Sequence, residues 1–216
     1  MLEALLERWI SQLTEHDGGV SLDRAREIFH ERTGPFDVGE RWYEPRLRFF
    51  FEWFLCDFGG ARLWLETHPD ADDHDRLVAR ACETSARSLY TVSAAGHGQI
   101  QLDDRLGGGR FVVPAKGAAE RLSPGETFDG RLLVLEEPCL SRGILFHPPQ
   151  THHALEALLS EIAPVEGDRV PVLDGLLRMR MRLDRFTSIR AEHIYQIDAL
   201  ADRSINSAAW ARKDAR

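Results

Sequence analysis

RFFFEWFLCDFGG, residues 48–60, places eight apolar side chains in thirteen positions, and its reading governs the rest of the chain. A membrane contact, a cofactor pocket and the centre of a core are the three interpretations open to it. Phe50, Trp53, Phe54 and Asp57 recur along one helix face, and Phe51, Leu55 and Phe58 along the adjacent one. Only Glu52 and Asp57 interrupt an apolar surface that runs most of the way round, the mark of a helix buried on most sides. Gly59-Gly60 ends the run after about three turns, well short of the roughly 20 apolar residues needed to span a bilayer. The segment is predicted to be core. Burying several Phe and Trp side chains at ~2–3 kcal/mol each makes it the main hydrophobic anchor of the N-terminal half.

The flanking sequence is helical in pattern from residue 1 to 88. Leu2, Leu5, Trp9 and Leu13 repeat every three or four residues, and Gly18-Gly19 closes that helix. Ser21 is placed to cap a second helix carrying Leu22, Ala25, Ile28 and Phe29 on one stripe. RTGPFDVGE, residues 32–40, reads as a loop, and Pro45 suits a first helical turn, where its missing N–H costs nothing. A further helix is predicted from about Asp72 to Arg87.

Between residues 89 and 148 the period changes. SLYTVSAAG, GQIQLDDRL, RFVVPA, TFDGRLLVLEE and RGILFHP are short, alternating and rich in β-branched and aromatic residues, with Gly or Pro in most of the gaps. They predict a small five-stranded antiparallel barrel of the SH3 or OB kind, with Gly125 of LSPGETF at a tight turn. Residues 151–203 return to helices. Val172, Leu176, Met179, Leu183 and Phe186 form an apolar seam, and Ile189, Ile194, Ile197 and Leu200 predict one more helix. SINSAAWARKDAR, residues 204–216, reads as a frayed tail containing Trp210. The predicted fold class is α+β: an N-terminal helical bundle, a central barrel module and C-terminal helices.

Composition is that of a globular protein, with 43% hydrophobic and 29% charged residues. The charge is uneven. Leu176 to Arg216 holds nine Lys/Arg against five Asp/Glu, so this end is +4 while the remainder carries −12 of the net −8. An acidic body repels phosphate backbones, which weighs against broad nucleic-acid binding over residues 1–175. Cys56, Cys82 and Cys139 are too few and too scattered for a disulfide framework or a CxxC motif, and MLEALLERWISQL has no basic leader before an apolar run. A reduced, cytoplasmic setting with no membrane partner is expected.

Several clusters bear on chemistry. HPDADDHD, residues 68–75, gathers His68, Asp72, His74 and Asp75 with two further aspartates, a composition from which a metal could take carboxylate and imidazole ligands. The competing interpretation is acidic capping of a helix N-terminus. In FHPPQTHHALE, His152 and Glu156 would share a helix face, with His147 or Cys139 as a third ligand, yet no HExxH is present and solvated histidines at a helix start are the favoured reading. LGGGRF, residues 106–111, lies between strands and reads as a flexible hairpin, not a phosphate loop. No catalytic set and no cofactor signature emerge. Arg178, Arg182 and Arg185, with Arg180 and Arg190 nearby, form the clearest interaction surface. They could serve a phosphate or an acidic protein patch, or pair with this protein's own acidic body.

FFFEWFLCDFGGARLWLE resembles the Phe-Glu-Trp-Phe-Leu-x-Asp segment of a group of uncharacterised bacterial proteins, some of which carry a C-terminal SEC-C zinc motif. In that group the helix is followed by an SLYxV strand and a β module, a place held here by Ser88-Leu89-Tyr90-Thr91-Val92. The likeness covers about residues 45–150 and implies a helical-plus-β architecture with no established reaction. No cysteine-rich tail is present, so it implies no zinc site.

Three classes of function follow. The first is a non-catalytic binding or adaptor protein that engages a protein partner through the β module and C-terminal helices. The second is a nucleic-acid accessory protein, which requires Tyr90, Phe111 or Phe128 to be exposed on the barrel beside arginines. The third is a metal-dependent hydrolase built on the residue 68–75 cluster.

Overall fold

The computed structural model describes residues 2–186 and 188–202, with side chains from residue 4 onward. The tail predicted over 204–216, Trp210 included, lies outside the described residues, as does residue 203.

Five helices precede the sheet: α1 (Leu2–Asp17), α2 (Val20–Thr33), α3 (Tyr43–Cys56), α4 (Gly60–Thr67) and α5 (Asp73–Glu83). The α1–α2 turn uses left-handed backbone at Gly18 and Gly19, with φ of 67° and 84°. Ser21 does not cap α2. The helix begins one residue earlier, and the Asp17 carboxylate accepts the Gly19 and Ser21 N–H groups at 2.9 Å each. A carboxylate at the end of α1 thus satisfies donors that open α2.

The aromatic stretch is α3, and Phe49, Phe50, Trp53, Phe54 and Leu55 are all buried. Phe29 of α2 packs among them, its ring centre 5.4 Å from both Phe50 and Trp53. Arg46, almost fully buried, spans from α3 to the end of α2. Its guanidinium donates to the carbonyls of Gly34 at 2.6 Å and Pro35 at 3.0 Å and lies 4.6 Å from the centre of the Phe36 ring. A cation is favoured there by the C-terminal helix dipole. α3 ends at Cys56, and Gly59, with φ 96°, is the N-cap of a helix that the sequence pattern did not reveal, α4, which starts at Gly60. A Cβ on Gly60 would meet the Phe54 ring at 2.8 Å, so the second glycine permits helix-to-helix approach. Trp64 of α4 stacks on Trp9 of α1 at 4.5 Å.

The central module is a curled antiparallel half-barrel. Its strands are β1 (Ala86–Gly96), β2 (Gln99–Asp104), β3 (Arg110–Pro114), β4 (Thr127–Val134), β5 (Pro138–Leu140) and β6 (Leu145–His147). The order is β3-β2-β1-β4-β5, with β6 pairing the other half of the same β4 edge. Five positions across the sheet therefore hold six strands, because two short ones share one edge. β4 is buried from Thr127 to Leu133. Its alternation splits the protein: Phe128 and Leu132 enter the half-barrel core, whereas Leu133 enters the helical core.

Helices α6 (His152–Ile162) and α7 (Val170–Arg185) follow, then two 3-10 turns at Ala191–His193 and Ile197–Leu200. These turns replace the helix predicted over Ile189–Leu200. Spacings of five, three and three do not trace a 3.6-residue face, and the three-residue steps suit 3-10 geometry. The α7 seam is consumed internally. Leu176 and Met179 pack with Leu155, Leu158 and Ile194, while Leu177 and Met181 reach the helical core on the other side. Gly175 allows this close packing, since a Cβ there would stand 2.8 Å from the Leu200 carbonyl oxygen.

Candidate functional site

The outer face of α3 opens a cavity of about 430 Å³ between α1, α5 and the β5 end of the sheet. The same 3.6-residue period that sends Phe50, Trp53 and Phe54 into the core turns Arg48, Phe51, Glu52 and Leu55 toward this space. Leu6, Phe51 and Leu135, all half-buried, give it apolar surface, with Ile10, Leu55, Val78 and Leu140 almost fully buried in the wall behind them. Exposed Glu7, Arg48, His74, Lys116 and Arg142 stand around the mouth. RFFFEWFLCDFGG is therefore both core and cavity wall, on opposite faces of one helix.

Glu52 and Ser141 are the polar side chains inside. The Gly143 N–H donates to Glu52 Oε1 at 2.6 Å, and a Cβ on Gly143 would collide with Oε2 at 2.5 Å. Only glycine lets the backbone approach so closely. Glu52 keeps partial access through the cavity, yet protein surrounds its carboxyl group. Burial raises its pKa, against the opposing pull of the Ser141 side chain, the Gly143 and Arg142 N–H groups and the Arg131 charge. One turn on, Cys56 meets Cys82 of α5. Hydrogen bonding between the thiols lowers the pKa of Cys56 and raises that of Cys82. Cys139 lines the cavity with its pKa raised by burial, and all three cysteines are free thiols.

The residues singled out from sequence have other positions. Asp72 caps α5 by accepting the Asp75 N–H at 2.8 Å, and Asp75 pairs with Arg8 at 2.7 Å. His68 stacks on Trp64 at 4.5 Å, and His74 lies at the cavity mouth. Glu156 forms a two-pronged pair with Arg105 at 2.6 and 2.8 Å, not with His152, which opens α6. His147 is buried against the Tyr195 hydroxyl at 2.9 Å, and burial, with the Arg180 and His152 charges, pushes its pKa down to about 3. Among the described residues no group of three or more His, Cys, Asp or Glu is arranged to hold a metal ion.

The three arginines do not form one exposed face. Arg178 is buried and donates to the carbonyls of Arg32 and Leu200, both at 2.5 Å, and of Asp202 at 3.1 Å. Arg182 lies 3.9 Å from Asp202, and Arg185 binds Glu40 at 2.9 Å. Tyr90 and Phe128 are buried in the half-barrel core, and Phe111 packs partly against it. LGGGRF is anchored at its start: the Asp104 carboxylate accepts the Leu106 and Gly107 N–H groups at 3.0 and 2.8 Å and an Arg169 guanidinium at 3.0 Å. Among the described residues no helix is long and apolar enough to cross a membrane.

Sequence reasoning marked Glu52 only as an interruption of an apolar helix. A lone carboxylate inside such a run was the one local signal, and its meaning depended on Gly143, 91 residues away. No protein-family model matches the chain, and neither a curated protein nor a solved structure matches it. The likeness of the aromatic helix to the uncharacterised bacterial group accordingly rests on the quoted residues alone.

Proposed function

We propose that this protein is a non-catalytic binding protein whose site is the cavity on the outer face of α3, where it takes up an apolar ligand group. The observation that carries this reading is the concave space of about 430 Å³ with the apolar lining Leu6, Phe51 and Leu135 and one enclosed carboxyl, Glu52. Ligand sites are built in this manner, from an apolar pocket with few polar groups to fix orientation. The reading moves binding away from the C-terminal arginines, whose charges have partners within the chain. A protein partner that inserts an apolar side chain into the cavity is the adaptor form of the same reading.

Titration with N-phenylnaphthylamine, a neutral apolar fluorescent probe, tests it. Saturable enhancement is expected for the wild-type chain, and loss of it for Ala118→Trp, which fills the half-buried rim. A folded wild-type protein that gives no saturable signal, or an Ala118→Trp protein that binds the probe unchanged, overturns the assignment.

A further inference from the structure

Charge at the mouth of the cavity narrows the ligand, given the cavity-binding reading on which this step rests. The protein is acidic, at −8, and lysine occurs only twice, yet one of its two lysines stands at this rim. Lys116 is joined there by Arg48 and Arg142. Arg142 already interacts within the chain and still contributes its charge. Against them stand Glu7 on the rim and Glu137, whose carboxylate is 3.8 Å from the Lys116 ammonium. That pair is exposed on both sides and weak enough for an incoming anion to compete. Glu52 is the acidic group inside: burial disfavours its charged form, and the Ser141 side chain, the Gly143 and Arg142 N–H groups and Arg131 act against that burial to stabilise it when ionised.

We infer that the cavity binds an amphipathic anion, an aliphatic chain with a single anionic head. The chain lies on Leu6, Phe51 and Leu135, and the head sits at the mouth beside Arg48 and Lys116. Burial of the chain supplies the affinity, roughly 0.8 kcal/mol for each CH₂ removed from water. The rim cations select the head, since electrostatic complementarity discriminates between ligands more than it adds raw affinity. A carboxylate and a phosphate monoester satisfy this chemistry equally, so free fatty acids and phosphorylated lipids are its two natural sources.

Calorimetric titration of the full chain with dodecanoate, dodecyl phosphate, dodecanol and dodecylamine, each below its micelle concentration, tests the inference. The anions are expected to bind about tenfold more tightly than the alcohol, with the amine weakest. Whichever anion is tighter identifies the source. Arg48→Glu combined with Lys116→Glu, both at exposed positions, should erase the anions' advantage over dodecanol. Equal affinity for alcohol and anions, preference for the amine, or indifference to the charge reversal overturns the head-group assignment while leaving the cavity reading intact. Failure of all four ligands together with the neutral probe overturns both.

Discussion

Arg87 on β1 grips both carboxylate oxygens of Asp129 on β4, with Nε–Oδ1 at 3.1 Å and Nη2–Oδ2 at 2.7 Å. Its third donor reaches Asp174 of α7 at 3.1 Å, and Asp174 also accepts from Arg32 of α2 at 2.7 Å. The guanidinium lies 4.5 Å from the Phe49 ring centre, so one buried cation ties α2, α3, α7 and two strands together. Burial opposes the charge, but the Asp129 and Asp174 carboxylates outweigh it and hold the Arg87 pKa above its ordinary value.

Arg87→Met should therefore cost about 3–5 kcal/mol in urea unfolding, because Asp129 is left buried and uncompensated. Adding Asp129→Leu should recover much of that loss. A double variant no more stable than Arg87→Met would show that the carboxylate is not the source of the cost.

Trp53→Ala removes a buried ring at the centre of the α2–α3 contact and should lower stability by about 3–5 kcal/mol. Thermal unfolding by circular dichroism checks this. A cooperative transition at the wild-type temperature would refute the core role of α3.

Glu52 gives a pH signature. Its pKa is raised on folding, so the folded state favours the protonated form, and its contribution to stability is present at low pH and lost as pH rises through the folded value. Glu52→Gln should thus melt higher than wild type at neutral pH, with the difference shrinking below the ordinary glutamate range. A constant difference across pH would mean that the carboxyl does not titrate in an altered environment.

His147 acts in the opposite sense. Its pKa falls to about 3 in the fold from an ordinary 6.5, so the unfolded chain takes up the proton first and stability drops as pH falls through that window. Its share approaches ~1.4 kcal/mol per pH unit once pH is well below the ordinary histidine value. His147→Phe should flatten the profile between the two pKa values, measured as urea midpoints over a pH series. An unchanged slope would place the uptake elsewhere.

The arginines of α7 should separate cleanly. Arg178→Ala strands the carbonyls of Arg32, Leu200 and Asp202 and should cost roughly 2 kcal/mol. Arg185→Ala breaks a half-exposed pair with Glu40 and should cost under about 1 kcal/mol. Equal losses in denaturant unfolding would contradict the different burial of the two side chains.

What the sequence by itself determined is local. The 3.6-residue spacing of Phe50, Trp53 and Phe54 and the two-residue alternation through β1 and β4 follow from periodicity and backbone chemistry within a few residues of one another. Where a local signal had two outcomes, it misled. Ser21 resembled a cap until Asp17 supplied the acceptor, and Gly59-Gly60 looked like a stop although Gly60 begins α4. The spacing of Arg178, Arg182 and Arg185 placed them on one helix but could not reveal the carbonyl that Arg32 presents to Arg178 from 146 residues away. The tertiary structure alone decided the cavity, because Glu52, His74, Lys116 and Arg142 come from four separate segments. Secondary structure depends on near neighbours along the chain, whereas burial, pairing and the altered acidity of Glu52 depend on which distant backbone folds against it.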